Sequence, residues 1–269
     1  MDLIRDILIV GCGNMGGAML EGWLAGGINP TRFTIVDPRR EGAPDGVTLL
    51  RELPMGRSFD AVMLGIKPQM LDELAPDIAT VVGSDTVLFS ILAGVELDSL
   101  ARRFVQSRAI VRIMPNLAAG IGRSPIALVG RGDDVALRET VTSLMEPLGT
   151  PEWIESEALF DAVTALAGCG PGFVYRFIDA LAGGATQLGL PEDQAQRLAL
   201  AMVEGAAMLA AQSSESPARL ADRVASPGGS TRAGLDVLDA DGELADLLAR
   251  TLRAARNRNA EMAAAARQG

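Results

Sequence analysis

The chain has 269 residues, of which 48% are hydrophobic, and a formal net charge of −10, which predicts a globular protein with a sizeable core. Its acidic balance argues against nucleic acid or an anionic membrane as a partner, because both attract basic surfaces. Histidine is absent and cysteine occurs twice, which argues against an imidazole base, a histidine-ligated metal and a disulfide framework, so we expect no metal site.

The N-terminal stretch MDLIRDILIV predicts a strand rather than a signal peptide, because acidic residues interrupt it and no cleavage pattern follows. No apolar run reaches the roughly 20 residues that a membrane-spanning helix requires. We therefore expect a cytoplasmic enzyme or binding protein.

The first half of the chain alternates short β-rich runs with helical stretches, such as 15–25 and 98–104. The runs are apolar without strict alternation, which is typical of strands covered on both faces of a parallel, doubly wound sheet. The predicted strands are 6–10, 33–37, 60–66, 86–91, 109–114, 126–129 and the segment around 152–154.

After about Ser156 the pattern becomes helical, with apolar residues at helical spacing and no strand signal. The predicted helices cover 158–168, 172–189, 192–213 and 243–268. Several are apolar on nearly every side, which indicates burial against other helices or against another subunit. We predict an α/β domain over 1–156, an all-helical domain over 157–269, and a homo-oligomer.

The stretch ILIVGCGNMGGAM contains a G-x-G-x-x-G spacing between a predicted strand and a predicted helix. In that context the pattern is a dinucleotide-binding fingerprint, because glycines permit a tight turn and close approach of the pyrophosphate. The alternative is a plain glycine-rich turn. The predicted cofactor contacts are Gly11, Gly13, Asn14, Met15 and Gly16.

The second predicted strand ends at Asp37, where an acid typically accepts hydrogen bonds from the ribose of NAD. Arg39 and Arg40 follow directly and provide an alternative, since arginine can hold the 2′-phosphate of NADP or simply carry surface charge. The choice between NADH and NADPH therefore stays open.

Other candidate contacts come at the ends of later strands, where open α/β sheets bind ligands. Lys67, the single lysine of the chain, and Pro68 follow the third long strand. Ala93 and Gly94 follow the fourth, and Asn116 follows the fifth. We predict that these residues line a dinucleotide crevice.

The motifs GCGNMGGAM, KPQ, SILAGV, RIMPN, DAVTALAGCGPGFVY and SPGGSTRAGL occur in this order, and along essentially its whole length the chain resembles the pyrroline-5-carboxylate reductase family. The resemblance implies a Rossmann domain followed by a helical dimerisation domain, often assembled into larger rings. It also implies reduction of a cyclic imine to proline, in proline biosynthesis, with NADPH or NADH.

The chain departs from the family pattern at several points. Leu117 and Ala118 stand where Thr-Pro is common after the Asn of the MPN motif, and Ala167 and Cys169 replace serines. An Asn often found ahead of the KPQ strand has no counterpart. A related cyclic imine therefore stays open as an alternative substrate.

The small polar loop SPGGST interrupts the helical half and carries no ionisable side chain. Backbone N–H groups of Gly228, Gly229, Ser230 and Thr231, at the start of a helix, would bind the carboxylate of the implied substrate. Thr231, with Ser230 beside it, would hydrogen-bond the ring nitrogen, so these two are the candidate catalytic residues.

Glu157 precedes a helix, and the resemblance implies an acid facing the substrate at a similar place. The alternative is that Glu157 is simply an acid at the start of a helix, where the helix dipole stabilises a negative charge. The sequence slightly favours this alternative. Tyr175, the single tyrosine, is expected to be a core aromatic rather than a proton donor.

Three other hypotheses compete with an imine reductase. The SPGGST loop could be a flexible linker, but a helix follows it directly. A β-hydroxyacid dehydrogenase or ketopantoate-type reductase would carry a catalytic lysine at the head of the long helix, where TALAGCGPGF has none. A redox-sensing dinucleotide-binding module would need only the N-terminal half of the chain, so the SPGGST loop would have no function in it.

Overall fold

The first strand shows why the sheet needs two covered faces. The computed structural model describes residues 4–268, and all four residues of β1 (Ile7–Val10) are buried. Ile7 and Ile9 pack into one apolar cluster, while Leu8 and Val10 pack into another on the opposite face. Successive side chains of a strand point to opposite faces, so a strand without polar residues requires layers on both sides.

Within the described residues, eight strands form one sheet in the order β3-β2-β1-β4-β5-β6-β7-β8. Neighbouring strands from β3 to β6 are parallel, β7 is antiparallel to β6, and β8 is parallel to β7. The other strands are β2 (Phe33–Val36), β3 (Thr48–Leu50), β4 (Ala61–Leu64), β5 (Val87–Ser90), β6 (Ala109–Met114), β7 (Ser124–Arg131) and β8 (Gly149–Trp153).

The direction of β7 differs from the fully parallel sheet expected from the sequence. Residues 115–123 connect β6 to β7, and they form only a short 3-10 segment. A parallel crossover needs a dozen or more residues, so this connection is too short for one and the chain returns antiparallel.

Helices cover both faces of the sheet. On one face α1 (Asn14–Ala25) and α4 (Val135–Met145) pack against the strands, and on the other α2 (Leu71–Ala79), α3 (Leu97–Arg103) and α5 (Phe160–Val163) do so. The predicted fold class, an N-terminal Rossmann-type sheet followed by a helical region, is confirmed.

The remaining elements are helical. A π-helical segment (Thr164–Gly168) leads into α6 (Gly170–Gln187), followed by α7 (Glu192–Gln212), α8 (Pro217–Val224), α9 (Ser230–Asp239) and α10 (Glu243–Gln268). The chain divides into two compact units. The first comprises the residues up to Cys169 with the C-terminal segment from Ala255, and the second is Gly170–Ala254. The predicted boundary between 156 and 157 stays a prediction.

The second unit exposes much of its apolar surface. Its buried cluster consists of the small side chains of Ala182, Ala195 and Ala199, from α6 and α7. Tyr175, expected to be a core aromatic, is 68% exposed, so that prediction is wrong for the isolated chain. Two helices with such a small mutual core leave their large apolar side chains facing outward.

The stretch Glu157–Gln187 is long and apolar enough to cross a membrane by length and composition alone, and 17% of its most apolar window is buried. It contains Arg176 and Asp179, whose side chains form an exposed ion pair at 2.9 Å. Length and composition do not distinguish a membrane span from a helix that packs against another protein chain.

Candidate functional site: a dinucleotide groove and an amide-lined turn

The glycine-rich turn after β1 is held against the end of β4 by close backbone packing. The amide of Gly11 donates to the carbonyl oxygen of Val36 at 2.9 Å, which ties the turn to β2. A Cβ on Gly65, directly after β4, would overlap the carbonyl oxygen of Gly11. Glycine at both positions therefore lets the ends of β1 and β4 meet without side chains.

Helix α1 begins directly after this turn with Gly13 as its N-cap residue. Among the described residues no side chain caps this end, and the first turn carries no acid. A Cβ built on Gly13 would have no neighbour within 4 Å, so the space above it is open. The first-turn N–H groups, including those of Asn14 and Met15, suit the pyrophosphate of a dinucleotide.

A groove of about 760 Å³ opens where the strand order reverses around β1, the usual position of a nucleotide in such sheets. Its lining is predominantly apolar with charged groups at one side. It includes Val10, Gly11, Gly13, Val36, Asp37, Pro38, Arg39, Arg51, Glu52, Leu53, Met55, Gly65, Ile66, Lys67, Met70, Leu74, Asp77 and Ile78.

Asp37 lies at the rim of this groove, where the sequence predicts it. One carboxylate oxygen accepts from the amide of Cys12 at 3.0 Å, and the other accepts from the amide of Arg39 at 2.9 Å. Each carboxylate oxygen has a second lone pair, so the side chain can still accept hydrogen bonds from two ribose hydroxyls.

Two arginines brace the loop around Asp37. Arg40 turns back over the glycine-rich turn and donates to the carbonyl oxygen of Cys12 at 3.0 Å. Arg51 donates to the carbonyl oxygens of Asp37, Pro38 and Arg40. Sequence reasoning missed Arg51, because its partners lie 11 to 14 residues away and no local motif marks them.

Cys12 is buried within the turn. Burial raises the pKa of its thiol above the usual range, an effect that Arg40 opposes and that the carboxylates of Asp37 and Glu21 increase. The thiol is therefore protonated at neutral pH and a poor nucleophile. This agrees with its interpretation as a small space-filling residue.

The strand-end residues predicted from the sequence occupy different surroundings. Lys67 lines the groove and precedes a 3-10 turn that begins at Pro68. Ala93 and Gly94 lie in the loop between β5 and α3, and a Cβ on Gly94 would come within 3.2 Å of the amide nitrogen of Ala263 in the C-terminal segment of the same unit.

Asn116 is 6% exposed, and its side chain bonds within the protein. The amide oxygen accepts from Ala118 N at 2.9 Å, and the amide nitrogen donates to the carbonyl oxygen of Ala167 at 3.0 Å. Ala167 belongs to the π-helical segment, where i→i+5 bonding displaces carbonyls from their usual partners. These bonds tie the end of β6 to that segment. Its prediction as a cofactor contact stays a prediction.

The second unit contains the loop 226–231 as a formed turn. The amide of Gly229 donates to the carbonyl oxygen of Ser226 at 2.9 Å, and Gly228 has φ of +71°, a conformation that glycine adopts without strain. Helix α9 begins at Ser230, and its N-cap residue, Gly229, has no side chain that could cap it. The amide of Ala233 donates to Gly229 O, so the amides of 230–232 precede the first intrahelical bond.

Arg232, the cation next to this turn in sequence, is already paired. Its guanidinium lies 3.0 Å from Asp236, 3.4 Å from Asp222 and 3.5 Å from Asp239. An anion at the turn would therefore be held by backbone N–H groups rather than by this side chain. The predicted use of the Gly229 N–H is wrong for this structure, because that amide donates to Ser226 O within the turn.

Glu157 is engaged within the first unit. One of its carboxylate oxygens accepts from Arg112 Nη1 at 2.6 Å and from the amide of Leu97 at 2.8 Å. The substrate-facing role implied by the resemblance stays a prediction, and the geometry gives one oxygen of the carboxylate two structural partners. Arg112 is a further residue that sequence reasoning missed.

The first unit fits a nicotinamide dinucleotide. A glycine turn that a Cβ would block, an uncapped helix start and an acid at the end of β2 are the features that hold its pyrophosphate and ribose. These features define the class of the protein, a dinucleotide-binding protein of the Rossmann type.

Comparisons with known proteins give the family. Residues 157–262 match the family described as pyrroline-5-carboxylate reductase dimerisation, and residues 6–94 match NADP oxidoreductase coenzyme F420-dependent. The pyrroline-5-carboxylate reductase of Pseudomonas aeruginosa is 32% identical over 267 residues, covering 96% of both chains. That of Escherichia coli is 32% identical over 254 residues, covering 88% of this chain and 91% of the relative.

Solved structures agree. A pyrroline-5-carboxylate reductase from Coxiella burnetii has a TM-score of 0.86 at 27% identity and covers 96% of this chain and 98% of its own. The pyrroline carboxylate reductase of Plasmodium falciparum with NADP bound shares the fold, with a TM-score of 0.82 at 24% identity, covering 98% of this chain and 99% of its own.

The chain belongs to the pyrroline-5-carboxylate reductase family. The family predicted from the sequence motifs is confirmed, and with it the prediction of an NAD(P)H-dependent oxidoreductase that acts on an imine.

Proposed function

We propose that this chain reduces 1-pyrroline-5-carboxylate to L-proline with NAD(P)H, and that the turn 228–231 binds the substrate carboxylate. The observation that carries the proposal is the uncapped start of α9 behind Gly228 and Gly229. The turn lies within the residues 157–262 that match the family's dimerisation domain, and the first unit provides the dinucleotide groove.

The carboxylate site consists of backbone groups. The amides of Ser230, Thr231 and Arg232 precede the first intrahelical bond of α9, whereas that of Gly229 donates to Ser226. The helix terminus contributes about 0.3–2 kcal/mol to the binding of an anion that contacts these N–H groups. Several must therefore act together. Gly228 allows the turn, and Pro227 restricts the free loop, which lowers the entropy lost on binding.

Thr231 and Ser230 position the ring. Bound NAD(P)H supplies a hydride to the imine carbon, and the ring nitrogen keeps the proton of the iminium form to become a secondary amine. The Thr231 hydroxyl is a weak acid at neutral pH, so its role is to hydrogen-bond the ring nitrogen and orient it. Orientation alone can contribute several kcal/mol to the lowering of a barrier.

The dinucleotide contacts we propose follow the order of the strands. The turn after β1 would hold the pyrophosphate, Asp37 would hold the adenosine ribose, and residues after β4 and β5 would hold the nicotinamide half. The contacting residues are Gly11, Gly13, Asn14, Met15, Gly16, Asp37, Lys67, Pro68, Ala93, Gly94 and Asn116.

The proposal is tested by following oxidation of NADH and NADPH with 1-pyrroline-5-carboxylate, its six-membered homologue and a cyclic imine that lacks the carboxylate. We expect the five-membered carboxylate to give the highest kcat/KM and the imine without a carboxylate to lose most of it. A preference for the six-membered ring would reassign the substrate within the cyclic imines. An equal kcat/KM for the imine without a carboxylate would show that the turn 228–231 does not bind a substrate carboxylate.

Asp37→Ala is expected to weaken binding of NADH by at least about fivefold more than binding of NADPH, the size of one or two hydrogen bonds lost to the ribose. NADPH carries a phosphate at the 2′ position, so it loses less when the carboxylate is removed. Titration of intrinsic or nucleotide fluorescence gives both dissociation constants. An equal loss for both nucleotides would mean that Asp37 does not contact the ribose.

We further propose that the chain forms a homodimer, or a ring of dimers, through its C-terminal helices, and that it is cytoplasmic and not membrane-bound. Support comes from the match to a dimerisation family and from the exposed apolar side chains of α6 and α7. A partner subunit would cover this surface, which includes most of the apolar stretch ending at Gln187.

A further inference from the structure

Glu157 connects two elements of the first unit that are far apart in sequence. Its carboxylate oxygen accepts from Arg112 in β6 and from the amide of Leu97, 45 and 60 residues away. Leu97 is the first residue of α3, and the side chain of its N-cap residue, Glu96, does not cap that helix. Glu157 therefore provides from a distance the acceptor that a capping side chain normally supplies.

Arg112 is buried in this arrangement and also packs on an aromatic ring. Its side chain is 4% exposed, and its guanidinium carbon lies 4.1 Å from the ring centroid of Phe160. Its Nε is buried and has no hydrogen-bond partner among the residues that the structure describes. A guanidinium this buried depends on its carboxylate, because removing one partner of a buried pair leaves an uncompensated charge.

The ion pair reaches both ends of the loop 90–96. In the sheet register Arg112 lies directly opposite Ser90, the last residue of β5, where the loop begins. The loop ends at Leu97, whose amide donates to Glu157. Within the loop, Ser90 Oγ accepts from the amide of Leu92 at 3.3 Å, and Gly94 lies against Ala263.

We propose that Arg112 and Glu157 are positioning residues that hold the loop 90–96 in place for the nicotinamide half of the dinucleotide. The loop follows β5, one strand beyond β4, whose end lines the groove. The glycine turn of β1 and Asp37 hold the other half. The proposal rests on dinucleotide binding in this groove and does not depend on which imine is reduced.

The test measures how tightly four nucleotides bind to the intact protein. NADH and NADPH carry the nicotinamide ring, and ADP-ribose and 2′-phospho-ADP-ribose are the matching nucleotides without it. We expect Glu157→Ala to raise the dissociation constants of NADH and NADPH at least about fivefold, the size expected for a lost anchoring hydrogen bond. Binding of both nucleotides that lack the ring should change less than about twofold, within the typical scatter of context effects.

Glu157→Gln separates positioning from stability. Its amide oxygen still accepts from Leu97 N, so affinity for NADH and NADPH should stay within about twofold of the original, well below one lost hydrogen bond. It removes the charge facing Arg112, so the melting temperature should fall as in Glu157→Ala. If Glu157→Ala does not fold, the double variant Arg112→Met/Glu157→Ala, which buries no charge, takes its place in the comparison.

Asp134 offers a matched control at the opposite end of β6. It accepts from Arg108 at 3.2 Å and from the amide of Leu137, in the first turn of α4, at 2.8 Å. The bond from Leu137 is the main reason that the pKa of this carboxyl lies below its usual value. Asp134→Ala should lower the melting temperature and leave the ratio of NADH to ADP-ribose affinity unchanged.

Four results would overturn the proposal. The first two are that Glu157→Ala binds all four nucleotides as the original chain does, or that it loses affinity for all four equally. The third is that Asp134→Ala changes the ratio of NADH to ADP-ribose affinity as much as Glu157→Ala does. A raised KM for the imine with unchanged nucleotide affinity would assign Glu157 to the substrate instead.

Discussion

Gly65→Ala is expected to destabilise the first unit by about 1–3 kcal/mol and to weaken dinucleotide binding, because overpacking at a tight contact forces the backbone to move. The added methyl group would overlap the carbonyl oxygen of Gly11, and neither atom is the end of a flexible side chain. The turn after β1 must then shift away from the position that binds pyrophosphate. Urea denaturation and nucleotide titration measure the two effects.

Gly13→Ala is the matched comparison. Its Cβ would have no neighbour within 4 Å in the free protein, so the free energy of unfolding should stay nearly unchanged. Binding of NADH and NADPH should nevertheless weaken at least about tenfold, or about 1.4 kcal/mol, because the methyl group would occupy the pyrophosphate position. Unchanged affinity in Gly13→Ala, or unchanged stability in Gly65→Ala, would contradict this account of the groove.

The parts of the fold that depend on local pattern could be predicted from the sequence. Apolar runs located six of the eight strands that the described residues form, because a buried strand needs an uninterrupted apolar segment. The predicted segment around 152–154 overlaps only the end of β8, whose residues are half-buried or exposed. Strand β3 escaped detection, because its three residues are half-buried or exposed and resemble a loop. The direction of β7 depended on the length of the connection 115–123, which the apolar pattern does not encode.

The position of the candidate groove could be predicted from a motif, whereas the residues that hold its glycine turn in place could not. The glycine fingerprint and Asp37 stand at fixed distances along the chain, so local spacing indicates them. Gly65 meets Gly11 only because β1 and β4 are neighbours, a fact of topology. The sequence contains one signal for this contact, which is the glycine in LGIKP at the end of a predicted strand.

Glu157 shows how a residue can be located while its partners are missed. Its position ahead of a helix suggests a capping acid, and the structure places the carboxylate on the amide of a different helix, 60 residues earlier. Arg112 lies within an apolar strand, and a charged residue in such a strand signals a buried partner without naming it.

Thr231→Ala is expected to lower kcat for imine reduction at least about tenfold, or about 1.4 kcal/mol of activation free energy, with the dissociation constants of NADH and NADPH unchanged. The hydroxyl lies in the first turn of α9, whose free amides would bind the carboxylate, so its loss leaves the ring held at one end only. Thr231→Ser keeps the hydroxyl and should retain most activity, whereas Thr231→Val should resemble the alanine variant.

Thr251→Ala, which removes a hydroxyl bonded to the carbonyl oxygen of Leu247 in α10, is the control and should leave kcat unchanged. Equal turnover in Thr231→Ala and the original chain, measured at saturating nucleotide and imine, would contradict the role of this side chain. The backbone amides would then orient the substrate without it.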